Sequence, residues 1–116
     1  MAVRLTKIFG VMAVLLGALN IAHAENLRIG MNFLQARKML IHDGWHPIKS
    51  PVPEGGYIGT ENLLIKSGIT EVESCAMDSA LCIFHYKKKS SCLEVTTKGE
   101  AVKSMEIFSL SHSCQT

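Results

Sequence analysis

Apolar positions recur at helical spacing in the first half of the chain and at every second residue in the last third, so the pattern predicts helices followed by strands. Phe33, Ala36 and Leu40 fall on one face at i, i+3 and i+7, with Leu34 and Ile41 flanking them and Arg37 and Lys38 turned elsewhere. Residues 25–30 lead into this helix. Asn32 is placed to accept from the backbone N–H groups of the first turn, and Gln35, three residues on, to reach back, which is the capping-box arrangement. Gly44 can take the left-handed conformation that closes a helix, and Trp45 is expected to fold back and seal the core.

Pro47, Pro51 and Pro53 with Gly55 and Gly56 make residues 47–59 an irregular connection that cannot pair as a central strand. Thr60 is positioned to cap a second, shorter helix containing Leu63, Leu64 and Ile65 and stopped by Gly68. Residues 69–75 read as extended, but Ile69 and Val72 alternate too weakly with Glu71 and Glu73 to specify pairing. That pair of like charges reads as an exposed edge.

From Leu81 the period becomes two. The runs Leu81–Tyr86 and Cys92–Thr97 flank a turn rich in lysine and serine, a hairpin signal, and Lys98-Gly99-Glu100 makes the next turn. Val102, Met105, Ile107, Phe108 and Leu110 give a third strand over residues 102–110. Leu93 and Val95 should face inward with Cys82 and Phe84, while Glu94, Thr96 and Cys92 face outward, as does His85 beside Ile83. The expected fold is α+β: two N-terminal helices packed on a three-stranded antiparallel C-terminal sheet.

The residues before this domain change the reading of the whole composition. Arg4 and Lys7, an apolar run from Ile8 to Leu19 and the small-x-small sequence Ala22-His23-Ala24 form the pattern of a cleaved export signal. The apolar run is shorter than the roughly 20 residues of a spanning helix. A cut after Ala24 takes 24 of the 116 residues and leaves 92, a single domain over 25–116. It also removes two of the 12 basic residues and none of the 10 acids, so the remaining chain is formally neutral. No broad field is left to attract nucleic acid or an anionic membrane. No cysteine lies near the cut, so a lipid anchor is not expected. The product is assigned to the periplasm or the exterior.

Export places the cysteines where thiols oxidise. Cys75, Cys82, Cys92 and Cys114 allow three pairings. The short stretch between Cys75 and Cys82 closes at little entropic cost, which favours that link and leaves Cys92 to hold Cys114 in the tail. There is no C-x-x-C, and the spacer does not match a zinc knuckle, so the reading is a structural disulfide framework in a domain small enough to need one.

The segment GMNFLQARKMLIHDGW, residues 30–45, resembles the opening helix of small exported bacterial proteins of helix-helix-sheet build, among them the β-lactamase inhibitor protein repeat and the SmpA/OmlA outer-membrane lipoproteins. The later stretches EVESC, CIF and LEVTTKGE are similar to small periplasmic proteins of the same build. The resemblance implies that fold. The chain lacks the lipoprotein cysteine of SmpA/OmlA and has one such unit where the inhibitor has two, so neither function carries over.

No grouping of residues points to catalysis or to a cofactor. The serines at 109, 111 and 113 form no nucleophile elbow, and no carboxylate pair is evidently held in a pocket. His42 and His46, four apart, would face one way on a continuous helix, but Gly44 and Pro47 interrupt it; His112 lies in the tail near Cys114. The expected function is a small exported protein-binding or inhibitory module of the bacterial envelope, with another envelope or secreted protein as partner. Its contacts are expected in the 47–59 loop, where Tyr57 and Ile58 are apolar, at the Lys87-Lys88-Lys89 hairpin tip, or on the open sheet face. The alternatives are a metal-handling domain built on His42, Asp43, His46 and His85, and a structural accessory of the envelope.

Overall fold

The computed structural model describes residues 26–114; the export signal expected at 1–24 lies outside them. Helix α1 (Phe33–His42) begins where Asn32 leaves the extended region and its side-chain oxygen accepts the Gln35 N–H at 3.1 Å. The Asn32 amide also donates to the Lys103 carbonyl at 2.9 Å, tying the cap to the far end of the chain. Gly44 closes the helix at φ +95°: its N–H reaches Ile41 O and the Trp45 N–H reaches Leu40 O, the paired bonds of a Schellman motif. Helix α2 (Gly59–Lys66) ends the same way, with Gly68 on Ile65 O and Ile69 on Leu64 O. In both cases the residue after the glycine is thrown back into the core, and Trp45 and Ile69 are buried. The start of α2 differs from expectation: Ile58 holds the cap position without a side-chain bond, and Thr60 stands inside the first turn.

The sheet has five antiparallel strands rather than three. The long hairpin of β3 (Leu81–Lys88) and β4 (Ser91–Lys98) forms its centre, and β5 (Glu106–Ser111) pairs with β4. The free edge of β3 is shared end to end by two short strands. β1 (His46–Pro47) pairs with Tyr86 and Lys87, and β2 (Val72–Cys75) with Phe84, Ile83 and Cys82. Because β1 lies between the helices, the chain does not run helices first and strands after. Pro47 is tolerated because an edge strand needs no donor on its outer side. Residues 102–110 are not one strand: Val102–Ser104 form a 3₁₀ turn, and the strand starts at Glu106. The apolar Val102 and Met105 are three apart, which is the 3₁₀ repeat.

One face of the sheet meets both helices. Cys82, Phe84, Tyr86, Leu93, Val95, Thr97 and Ile107 point into it and are buried, with Phe33, Ala36, Leu40, Leu64, Val72 and Met105 packed against them. The Phe33 and Phe84 rings stack with centroids 4.3 Å apart. Leu93 and Val95 are therefore inward with Cys82 and Phe84, as the alternation requires. The disulfides are Cys75–Cys82, between directly paired residues of β2 and β3, and Cys92–Cys114, which fastens the tail to β4. Such links are those of a protein that matures in an oxidising compartment. No helix among the described residues is long and apolar enough to cross a membrane.

Candidate functional site: a groove braced by the Cys75–Cys82 disulfide

Three segments distant in sequence meet at the end of the molecule where β3 begins. The start of α2 (Ile58, Gly59, Thr60, Glu61), the connection from Cys75 to Ala80, and Glu100 beyond β4 line a groove of about 740 Å³. Backbone chemistry holds them together. Glu61 sits in the first turn of α2, where its charge complements the helix dipole, and accepts the Cys75 N–H at 2.7 Å. Ala76 N–H donates to Leu81 O at 2.7 Å, closing the 76–80 loop over the disulfide, and Gly99 N–H donates to Ala80 O at 2.9 Å. The groove walls are thus tied at both ends of the loop.

Its surface chemistry is lopsided. Ile58 is 63 % and Met77 90 % exposed, so two large apolar side chains stand in water on its lining. The ionisable side chains of the lining are Glu61, Asp78 and Glu100, with no lysine, arginine or histidine among them. No family model matches the chain, and no curated protein or solved structure matches it significantly. The site must therefore be read from its own geometry.

The residues expected to make contacts do not come together. Ile58 lies in the groove, and Tyr57 beside it is half-buried. Lys87, Lys88 and Lys89 lie at the opposite end of β3, roughly 20 Å away along an eight-residue strand. They are also not all at the tip: Lys87 and Lys88 are paired within β3, and Lys89 alone enters the turn, at φ +55°. The contributions of Glu61, Asp78 and Glu100 carried no signal in the sequence, because their convergence depends on how β3 and β4 pair.

The histidines proposed for a metal have separate surroundings. His42 lies beside Asp43 on exposed helix end, at 3.5 Å, and His46 pairs with Lys87 at the sheet edge. His85 is on the outward face but only 7 % exposed, because its cross-strand partner Glu94 reaches Nε2 at 3.0 Å, Glu73 stands 3.9 Å from Nδ1, and Ser50 holds Glu73 at 3.1 Å. Among the described residues no group of three His, Cys, Asp or Glu side chains has the geometry to hold a metal ion.

A second polar cluster lies inside the helix-sheet interface. Glu71, expected on an exposed edge with Glu73, is fully buried: it sits in the turn before β2 and accepts both the Arg37 guanidinium, with Nη2 at 3.1 Å from Oε1, and the Tyr86 hydroxyl. Arg37 therefore leans into the sheet instead of facing water. Burial, then the adjacent Glu71 carboxylate, pushes the Tyr86 hydroxyl well above the usual phenol range. The hydrogen bonds that the Arg37 guanidinium donates to Glu71 raise Arg37 above its ordinary value despite partial burial. Tyr86 carried the one sequence signal for this cluster: a tyrosine in phase with Cys82 and Phe84 brings a hydroxyl into the core, and that hydroxyl needs an acceptor. The cluster ties α1 to β3 and to the turn before β2.

Proposed function

We propose that the protein is a small exported protein-binding module of the bacterial cell envelope that engages its partner through the groove beside Cys75–Cys82. The observation that carries this reading is the exposure of Ile58 and Met77 on walls that a disulfide and backbone hydrogen bonds hold in place. A preformed surface loses little conformational entropy when it binds, and exposed apolar side chains on such a surface are what protein contacts bury. The segment 1–24 fits export to the periplasm with removal after Ala24, and oxidised cysteines suit that compartment.

The test is recovery of partners from periplasmic extract by the oxidised protein at micromolar concentration, in parallel with Ile58→Ser and Met77→Ser. The reading predicts a recovered protein that both substitutions lose while the fold, followed by Trp45 fluorescence, is unchanged. Recovery of no partner, or of the same set by both variants, would contradict it.

A further inference from the structure

Resting on the protein-binding reading, we infer that the groove receives a cationic, extended segment of another protein, with an apolar side chain seated between Ile58 and Met77 and lysine or arginine side chains set against Glu61, Asp78 and Glu100. Charge complementarity selects this occupant. Every ionisable side chain lining the groove is acidic, whereas the lysine run 87–89 is displaced to the other end of β3, so the groove presents one sign of charge within residues 25–116, where ten basic and ten acidic residues balance. The rim then decides the kind of cation. A free polyamine offers Ile58 and Met77 only the thin methylene linkers between its amines, while a peptide carrying both a bulky apolar side chain and basic neighbours satisfies both features. A volume of about 740 Å³ accommodates a few side chains and not a folded surface, so the ligand inserts as a segment.

The groove walls also explain the position of the disulfide. Cys75 joins the loop directly to the Glu61-bearing helix through its own N–H, and its sulfur joins the loop to β3, so one residue fixes both walls. Reduction should loosen the wall that carries Met77 and Asp78.

The test is fluorescence anisotropy of labelled peptides of about ten residues, in which leucines are flanked by arginines, against the oxidised protein; matched peptides carry glutamine or glutamate in place of arginine. The arginine peptide should bind saturably and weaken with added salt, the glutamine peptide should bind at least fivefold more weakly, and the glutamate peptide should not bind. Asp78→Lys with Glu100→Lys, both exposed positions, should weaken the arginine peptide about tenfold or more, and Met77→Ser should weaken all binding. Equal affinity for the three peptides, indifference to the charge reversals, or displacement by spermidine at equal concentration would overturn the inference. So would binding of a second copy through its Lys87–Lys89 turn, seen as a doubled mass that the peptide disperses. If no arginine peptide binds but a photo-crosslinker at Met77 still captures a periplasmic protein, the cationic class fails and the protein-binding reading survives; if neither occurs, both fail.

Discussion

Replacing Arg37 with methionine isolates the energetic role of the buried cluster, because it removes the guanidinium that Glu71 accepts from and keeps a side chain of similar apolar stem. The consequence falls on Glu71. That side chain is fully buried and is left with the Tyr86 hydroxyl as its remaining partner in the cluster. Breaking a buried ion pair by removing one member costs about 3–5 kcal/mol. A domain of this size is stable by roughly 5–13 kcal/mol, so Arg37→Met should bring it near the limit of folding. Removing the charge with its partner should reverse part of the loss: Arg37→Met with Glu71→Met should be more stable than Arg37→Met alone by about 1 kcal/mol or more, the buried Tyr86 hydroxyl that loses its acceptor offsetting the rest. Urea unfolding with the disulfides intact reads this directly, since Trp45 is the sole tryptophan and is buried. A cost below about 1 kcal/mol for the single variant, or a double variant no more stable than the single, would refute the reasoning.

Other expectations follow from the same contacts. The raised Tyr86 hydroxyl means that the folded state holds its proton where the unfolded chain, with an ordinary phenol near pH 10, releases it. Its contribution is therefore fully present below about pH 10 and lost above it, at up to about 1.4 kcal/mol per pH unit, and Tyr86→Phe should flatten that alkaline slope in urea midpoints taken from pH 9 to 11. The Cys92–Cys114 link spans 22 residues and the Cys75–Cys82 link 7, so replacing the first pair with serines should cost about 3 kcal/mol and the second about 2 in chemical unfolding. Only the Cys75–Cys82 replacement should also impair peptide binding. Gly99→Ala should destabilise by about 1 kcal/mol or more in the same assay, because its φ of +133° disfavours a side chain and the added Cβ would come within 3.2 Å of the Met105 backbone.

Elements whose causes are local were legible in the sequence. The Asn32 cap, the glycines that end both helices, the inward placing of Leu93 and Val95 and the short Cys75–Cys82 loop each follow from residues within one turn or one strand of one another. Elements whose causes are distant were not. β1 and β2 are strands only because β3 offers an edge, and neither His46-Pro47 nor Val72–Cys75 is long enough to show an alternation of its own. Glu71 and Arg37 are 34 residues apart, and nothing near either reports the other. The groove was legible at Ile58 alone, since the 47–59 loop marked that residue as a contact. Met77, Asp78 and Glu100 join it through the disulfide and the Gly99–Ala80 hydrogen bond, which the hairpin register sets.

The central claim, that the protein meets its partner at the Cys75–Cys82 groove, is tested most directly by placing a photo-reactive amino acid at Met77 and, separately, at Lys89 in the exported protein and irradiating intact cells. These positions lie at opposite ends of β3. The account predicts a discrete adduct with another protein from position 77 and none from position 89. An adduct from 89 alone, or none from 77, would contradict it.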